Sequence, residues 1–285
     1  MKIFTTRVAL SGYLTEQKSA GKVIGLVPTM GALHAGHLSL ISQARRESDI
    51  VVCSIFVNPT QFNDPKDLAK YPRPIEADTR KLEDAGCDVL FMPSVTEMYT
   101  VGEAWHISLN GLDNILEGKI RPGHYQGVTQ IVKKLFDTVR PDKAFFGQKD
   151  FQQIRVITEL VRQYHIPVQL IMCPIIREAD GLAMSSRNVH LSADEHQQAL
   201  VLSRALNLAA QIFPVKTVGE VKDEVTRLVR QTLGVELEYF EICDQETLQP
   251  VTDKNGEPPV ALIAARVGSI RLIDNVILGI SEAAK

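Results

Sequence analysis

Short apolar runs alternating with amphipathic stretches constrain this chain more than any other feature. Residues 22–27, 50–57, 88–92, 143–146 and 168–173 are rich in Val, Ile and Phe and read as buried strands. Among them, 38–47, 75–85, 128–139 and 151–164 carry helical patterns, most with apolar residues three and four apart. Strand, helix, strand predicts a parallel sheet, because right-handed crossovers lay helices on both of its faces. Ligands of such sheets bind beyond the carboxyl ends of the strands. His34, Asn58 and Gly147 all follow strand ends, so three polar clusters far apart in sequence are expected along one edge.

After about Ile176 the character changes. Two long helical patterns, 193–212 and 218–233, precede apolar runs at 237–242, 260–266 and 270–277. The expected fold class is α/β, a parallel-sheet domain over 1–176 followed by a smaller α+β domain over 177–285 that closes over the site. Asp253-Lys254-Asn255-Gly256 marks a turn between two strands of the second domain, and 281–285 is expected to fray.

Composition excludes several classes. With 285 residues, 45% hydrophobic and 23% charged, the chain has ordinary globular usage and is neither disordered nor fibrous. A net charge of −3 supplies no basic field, which disfavours nucleic acid and leaves a small anionic substrate as the better fit. Cys53, Cys87, Cys173 and Cys243 form no Cys-x-x-Cys pair, so a structural zinc site is not expected. They read as core residues of a protein in a reducing, cytoplasmic compartment. No signal-peptide pattern and no apolar stretch of roughly 20 residues points to export or a membrane. The Gly-x-Gly-x-x-Gly fingerprint is absent after the first strand, and Gly36 is followed by His37 rather than by Lys-Ser/Thr, which argues against a dehydrogenase or a Walker A site.

The chemistry-bearing clusters share one design. Met30-Gly31-Ala32-Leu33-His34-Ala35-Gly36-His37 places two imidazoles three residues apart at a strand-to-helix turn, where free helix N–H groups and the helix dipole would favour an anion. The alternative is a pair that only caps a helix. Asn58-Pro59-Thr60-Gln61 offers carboxamides to a small polar ligand, or is an Asn-Pro turn with a surface Gln. Arg121-Pro122-Gly123-His124-Tyr125 could be a loop and no more. In Gly147-Gln148-Lys149-Asp150, Lys149 can meet phosphate oxygens, while Asp150 could be only a helix N-cap and Lys149 only solvated. Gln153, one turn later, could face the same crevice or water. Met184-Ser185-Ser186-Arg187 brings hydroxyls and a guanidinium to the domain junction, as a polyphosphate clamp or as a Ser cap with an interdomain ion pair.

Together these segments resemble the pantothenate synthetase (pantoate–β-alanine ligase) family. The resemblance runs through 28–37, 56–62, 121–125, 146–153 and 180–188, and is weaker in the second domain. His-x-Gly-His also resembles the broader nucleotidyltransferase superfamily that includes class I aminoacyl-tRNA synthetases. The resemblance implies a Rossmann-like first domain, Mg²⁺ with ATP as substrate, no organic prosthetic group, and a homodimer. It implies ATP-dependent condensation of (R)-pantoate with β-alanine to pantothenate, AMP and pyrophosphate through a pantoyl adenylate. By the same resemblance, residues 30–37 and 147–150, Ile176 and residues 184–187 bind ATP, Gln61 and Gln153 hold pantoate, Gln61 also meets β-alanine, and His37 is the proton donor. His34, Lys149 and Arg187 join His37 as catalytic candidates, because an anion attacking a phosphate calls for cationic and N–H donors. One position departs from the family, which usually has Glu where Gln148 stands, so Gln148 receives no acid, base or metal role. A nucleotidylyltransferase that stops after the first transfer and a catalytically inert nucleotide sensor are the competing readings. The paired amides Gln61 and Gln153 favour the ligase.

Overall fold

The computed structural model describes residues 1–63 and 65–279, so the expectation for 281–285 lies outside the described residues. The chain divides into two compact units, one comprising 1–148 and 152–174, the other 149–151 and 175–285. The division by packing thus falls at 174/175, and it assigns Lys149–Phe151 to the second unit although both flanking segments belong to the first.

In the first unit the strands are β1 (Lys2–Phe4), β2 (Ile24–Thr29), β3 (Ile50–Ile55), β4 (Val89–Phe91), β5 (Lys143–Gly147) and β6 (Gln169–Cys173). They pair in parallel in the order β1-β4-β3-β2-β5-β6. From β2 the chain adds β3 and β4 outward on one side, then returns to add β5 and β6 on the other. That reversal puts the topological switch point at the carboxyl ends of β2 and β5, the usual ligand position of a doubly wound sheet. The helices are α1 (Arg7–Ser19), α2 (Ala35–Glu47), α3 (Pro65–Lys70), α4 (Ile75–Asp84), α5 (Val95–Met98), α6 (Leu116–Ile120), α7 (His124–Val139) and α8 (Phe151–Gln163).

Both faces of the central strands are buried, which is why they read as continuous apolar runs. Val27, Val51, Cys53 and Phe145 pack with Leu40, Ile41 and Ala44 of α2 and Leu82 of α4, while the alternate residues Leu26, Val52, Val89 and Ala144 are equally buried. Strand β1, helix α1 and the short helices α3, α5 and α6 escape the sequence pattern. Strand β1 is a three-residue edge, and α1 buries only Leu10 and Leu14, too narrow a stripe to stand out. Helix α7 starts four residues earlier than its apolar periodicity indicates, because Gly123 adopts φ +80° at its N-cap and lets His124 begin the helix.

The second unit carries α9 (Ala193–Ile212), α10 (Val218–Arg230) and an antiparallel sheet of β7 (Val235–Cys243), β8 (Val260–Val267) and β9 (Ile270–Ile277), ordered β7-β8-β9. Ser192 and Thr217 cap the two helices through reciprocal bonds with Glu195 and Glu220. Val221, Val225 and Val229 of α10 and Ala199, Leu202 and Leu206 of α9 meet Ile263, Ala265 and Val267 in one apolar core.

Candidate active site

The histidine turn is built by its own backbone. His34 is the N-cap of α2, and its Nδ1 accepts the Gly36 N–H at 3.2 Å. His37 completes the reciprocal arrangement, its Nδ1 accepting the His34 N–H at 3.4 Å. Because both Nδ1 atoms accept, each neutral ring carries its proton on Nε2 and presents an N–H donor on the side away from the cap. The rings lie 4.1 Å apart, tilted by 44°. Capping through Nδ1 thus fixes which nitrogen of each ring carries the N–H.

Two of the N–H groups expected to be free at this helix start are already taken. The His37 N–H bonds the His34 carbonyl at 2.9 Å and the Gly36 N–H is held by His34. In the turn before them, the fully buried Asp78 accepts from Ala32 N at 2.7 Å and Leu33 N at 2.8 Å. Lys81 Nζ, one helical turn along α4, holds the Leu33 carbonyl at 2.6 Å. The Asp78 side chain thus takes up the N–H groups of this loop. Asp78 also explains the glycine at 31, whose φ is +82° and where a Cβ would sit 3.1 Å from Asp78 Oδ2.

Beyond β3 a second group assembles around Gln61. Asn58, 1% exposed, donates its Nδ2 to the Gly127 carbonyl and to Gln61 Oε1, both at 3.1 Å. A carbonyl can only accept, so Gly127 fixes the orientation of Asn58, and Asn58 in turn fixes that of Gln61. Gln61 Nε2 is then the donor end of the amide and contacts Met30 Sδ at 3.0 Å. Asn58 Oδ1 accepts from Tyr99 Oη at 2.6 Å and from Thr60 at 3.1 Å. Burial pushes the Tyr99 phenol up to about 12, which keeps it a donor at neutral pH. Gly127 is required for this packing, because a Cβ there would lie 2.3 Å from the Thr60 carbonyl.

The 121–125 segment is no mere loop. His124 is buried and its Nδ1–H donates to the Gln61 carbonyl at 2.8 Å, leaving Nε2 to accept from Arg121 Nη1 at 3.1 Å. Of the pair on α8, Gln152 is structural, its carboxamide taken by Leu112, Ile115 and Glu117 backbone atoms. Gln153 is half-buried on the neighbouring position. Gly147 ends β5, and Gln148–Asp150 forms a single 3₁₀ turn immediately before α8. The Lys149 side chain is only 19% exposed, with Asp150 Oδ1 at 4.0 Å, so it is not a freely solvated lysine.

In the second unit, Ile176 and Met184 are paired across a hairpin, Met184 N–H to Ile176 O at 3.0 Å. Ser185 Oγ accepts the Arg187 N–H at 3.2 Å in a local turn, and the cap of α9 is instead Ser192. Asn188 ties this turn back, donating to Glu178 at 2.6 Å and to the Ala183 carbonyl at 3.1 Å.

Sequence reasoning missed Asp78, Tyr99, Lys81 and Asp274-Asn275. Only Asp78 left a signal, as an acid on the apolar stripe of α4, four residues before Leu82. The four cysteines are free and buried, and burial raises each thiol, Cys87 and Cys173 to about 11, Cys243 to about 12 and Cys53 well above the ordinary range. Alkylation of the native protein with iodoacetamide at pH 8 is therefore expected to leave turnover unchanged. Rapid loss of turnover with one equivalent incorporated would contradict a thiol-independent site.

A reversed parallel sheet with a capped histidine pair beyond β2 and an amide cluster beyond β3 defines a Rossmann-like α/β protein of the nucleotide-handling class. The family model for pantoate-beta-alanine ligase matches residues 2–277. The chain is 49% identical to the pantothenate synthetase of Bacteroides thetaiotaomicron over 97% of its length and 98% of the relative's. A pantothenate synthetase structure from Thermus thermophilus superposes with a TM-score of 0.91 at 40% identity, covering 97% of this chain and 99% of that one. The pantoate-beta-alanine ligase of Francisella tularensis, solved with beta-gamma ATP and beta-alanine, gives a TM-score of 0.80 at 34% identity, covering 97% of each chain. The chain belongs to the pantoate–beta-alanine ligase family.

Proposed function

We infer that this chain joins pantoate to β-alanine at the expense of ATP, releasing AMP and pyrophosphate. The observation that carries the reading is the capped histidine pair of α2 in a chain matched to the ligase family along residues 2–277. In the first half-reaction a pantoate carboxylate oxygen attacks the α-phosphorus and pyrophosphate leaves, forming pantoyl adenylate. Charge accumulates on phosphate oxygens, so fixed donors are what accelerates it. His34 and His37 would supply Nε2–H groups, with His37 as the proton donor, and Lys149 and Arg187 would add positive charge. Residues 30–37, 147–150 and 184–187 and Ile176 complete the proposed ATP contacts. Magnesium would enter with ATP as MgATP and would add positive charge beside Lys149 and Arg187 where the phosphate oxygens gain negative charge.

Gln61 and Gln153 would hold pantoate, and Gln61 would also meet β-alanine. In the second half-reaction the amine attacks the acyl carbon and AMP departs. A primary alkylamine with a pKa near 10.4, about that of lysine, must first lose a proton. No organic prosthetic group and no covalent enzyme intermediate take part in this scheme. A homodimer in the cytoplasm completes the proposal, the dimer supported by family resemblance and the compartment by four free cysteines.

Supplying MgATP and pantoate with and without β-alanine tests the reading. Pantothenate and AMP are expected in equal amounts only with the amine present; bound ATP without pantothenate would refute the ligase assignment. For Gln61→Ala, loss of the oriented donor should raise the KM for pantoate by roughly ten- to a hundred-fold, with ATP affinity kept. The reverse ranking would move Gln61 out of the acid subsite.

A further inference from the structure

Two adjacent residues of β9, Asp274 and Asn275, are 3% and 1% exposed, and neither enters the reaction above. Successive side chains of a strand leave by opposite faces, so the pair reaches two different segments. Asp274 binds Arg177 through both oxygens, Nη1 to Oδ2 at 2.6 Å and Nη2 to Oδ1 at 3.1 Å. The Asn275 backbone N–H adds a bond to Oδ1 at 2.8 Å. Arg177 Nη1 also donates to the Gly181 carbonyl at 3.1 Å, and Arg177 itself bridges Ala183 across the hairpin whose outgoing arm runs into Met184-Ser185-Ser186-Arg187. From the other face, Asn275 Nδ2 donates to the Lys149 carbonyl at 3.0 Å.

Such a network is expensive as a device for stability alone. Burial pushes the Asp274 carboxyl up and Arg177 pulls it back down, and a buried ion pair of this kind contributes geometry more than net free energy. What it fixes is specific. Lys149 lies 125 residues before Asp274 in sequence, yet packing places it in the same unit as β9 and the hairpin.

We propose that Asp274 and Asn275 are positioning residues for the phosphates of ATP, one edge strand holding the Lys149 turn and the hairpin leading to Arg187 in fixed mutual register. The inference rests on the assignment of Lys149 and Arg187 to ATP. Its mechanistic content is that two cationic groups from distant parts of the chain are delivered as one body, so their spacing does not have to be found anew in each turnover.

A double-mutant cycle tests it, with MgATP, pantoate and β-alanine as substrates and a thermal melt of each variant. Asn275→Ala should lower kcat/KM for ATP by roughly ten-fold and leave the KM for β-alanine unchanged. In a Lys149→Ala background the same change should be nearly silent. Arg177→Lys, which keeps the charge of the pair but removes the fork, should lower kcat/KM for ATP similarly and serves if Asn275→Ala does not fold. Additive losses in the cycle, or melting temperatures that fall with unchanged kinetics in either variant, would overturn the positioning role alone. Unchanged kcat/KM for ATP in Lys149→Ala would instead overturn the underlying ATP assignment, and the proposal with it.

Discussion

Replacing His37 by alanine is expected to slow pantoate-dependent pyrophosphate release by roughly a hundred-fold or more, with little loss of fold. The expected asymmetry comes from the geometry of the cap. The cap bond that His37 accepts is a long one, 3.4 Å from the His34 N–H, while the shorter bond from Gly36 to His34 survives its removal. Losing that arm costs about 1 kcal/mol or less, a shift of about 2–4 °C in Tm for a protein of this size. The Nε2–H, by contrast, has no substitute once the ring is gone. Single-turnover pyrophosphate release and a melt of the same preparation separate the two effects. A variant that melts far below the parent while its folded fraction keeps full rate would return His37 to capping alone.

Asp78→Ala should do the opposite and damage fold and activity together. Its carboxylate is fully buried and carries the N–H groups of Ala32 and Leu33. Removing it leaves two buried donors unpaired, each costing about 1–3 kcal/mol, beside the cavity left by the carboxylate. A drop in Tm on the order of 10 °C follows, along with loss of adenylate formation as the turn before His34 relaxes. Asp78→Asn should rescue little, because an amide offers one acceptor where two donors converge and sets its own N–H₂ against the second. Native-state hydrogen exchange at Ala32 and Leu33 checks the cause directly: their amides should lose protection in Asp78→Ala before the rest of β2 does. An unaltered melt and rate would remove Asp78 from the account.

Much of this was legible in the sequence, and the omissions have a common physical origin. The central strands announce themselves because both faces are buried, and α9 because its Ser192–Glu195 cap and apolar stripe agree. The two-residue spacing between His34 and Gly36 and the three-residue spacing between Asn58 and Gln61 encode local bonds, so motif reading finds them. Asp78 meets its partners 46 and 45 residues away and Asn275 meets Lys149 126 residues away, so neither leaves a local pattern. The Arg121-Pro122-Gly123-His124 stretch shows the intermediate case. Its turn chemistry is visible, but the burial of His124 against Gln61 depends on Gly127 allowing a close approach that only tertiary structure reveals.

The central claim is that pantoate is activated by attack of its own carboxylate on the α-phosphorus of ATP, with histidine donors and no protein nucleophile. Its most direct test is a complete turnover with pantoate labelled with ¹⁸O in the carboxylate. One labelled oxygen should pass to AMP and none to pyrophosphate; label in pyrophosphate or phosphate, or unlabelled AMP, would contradict attack by the carboxylate.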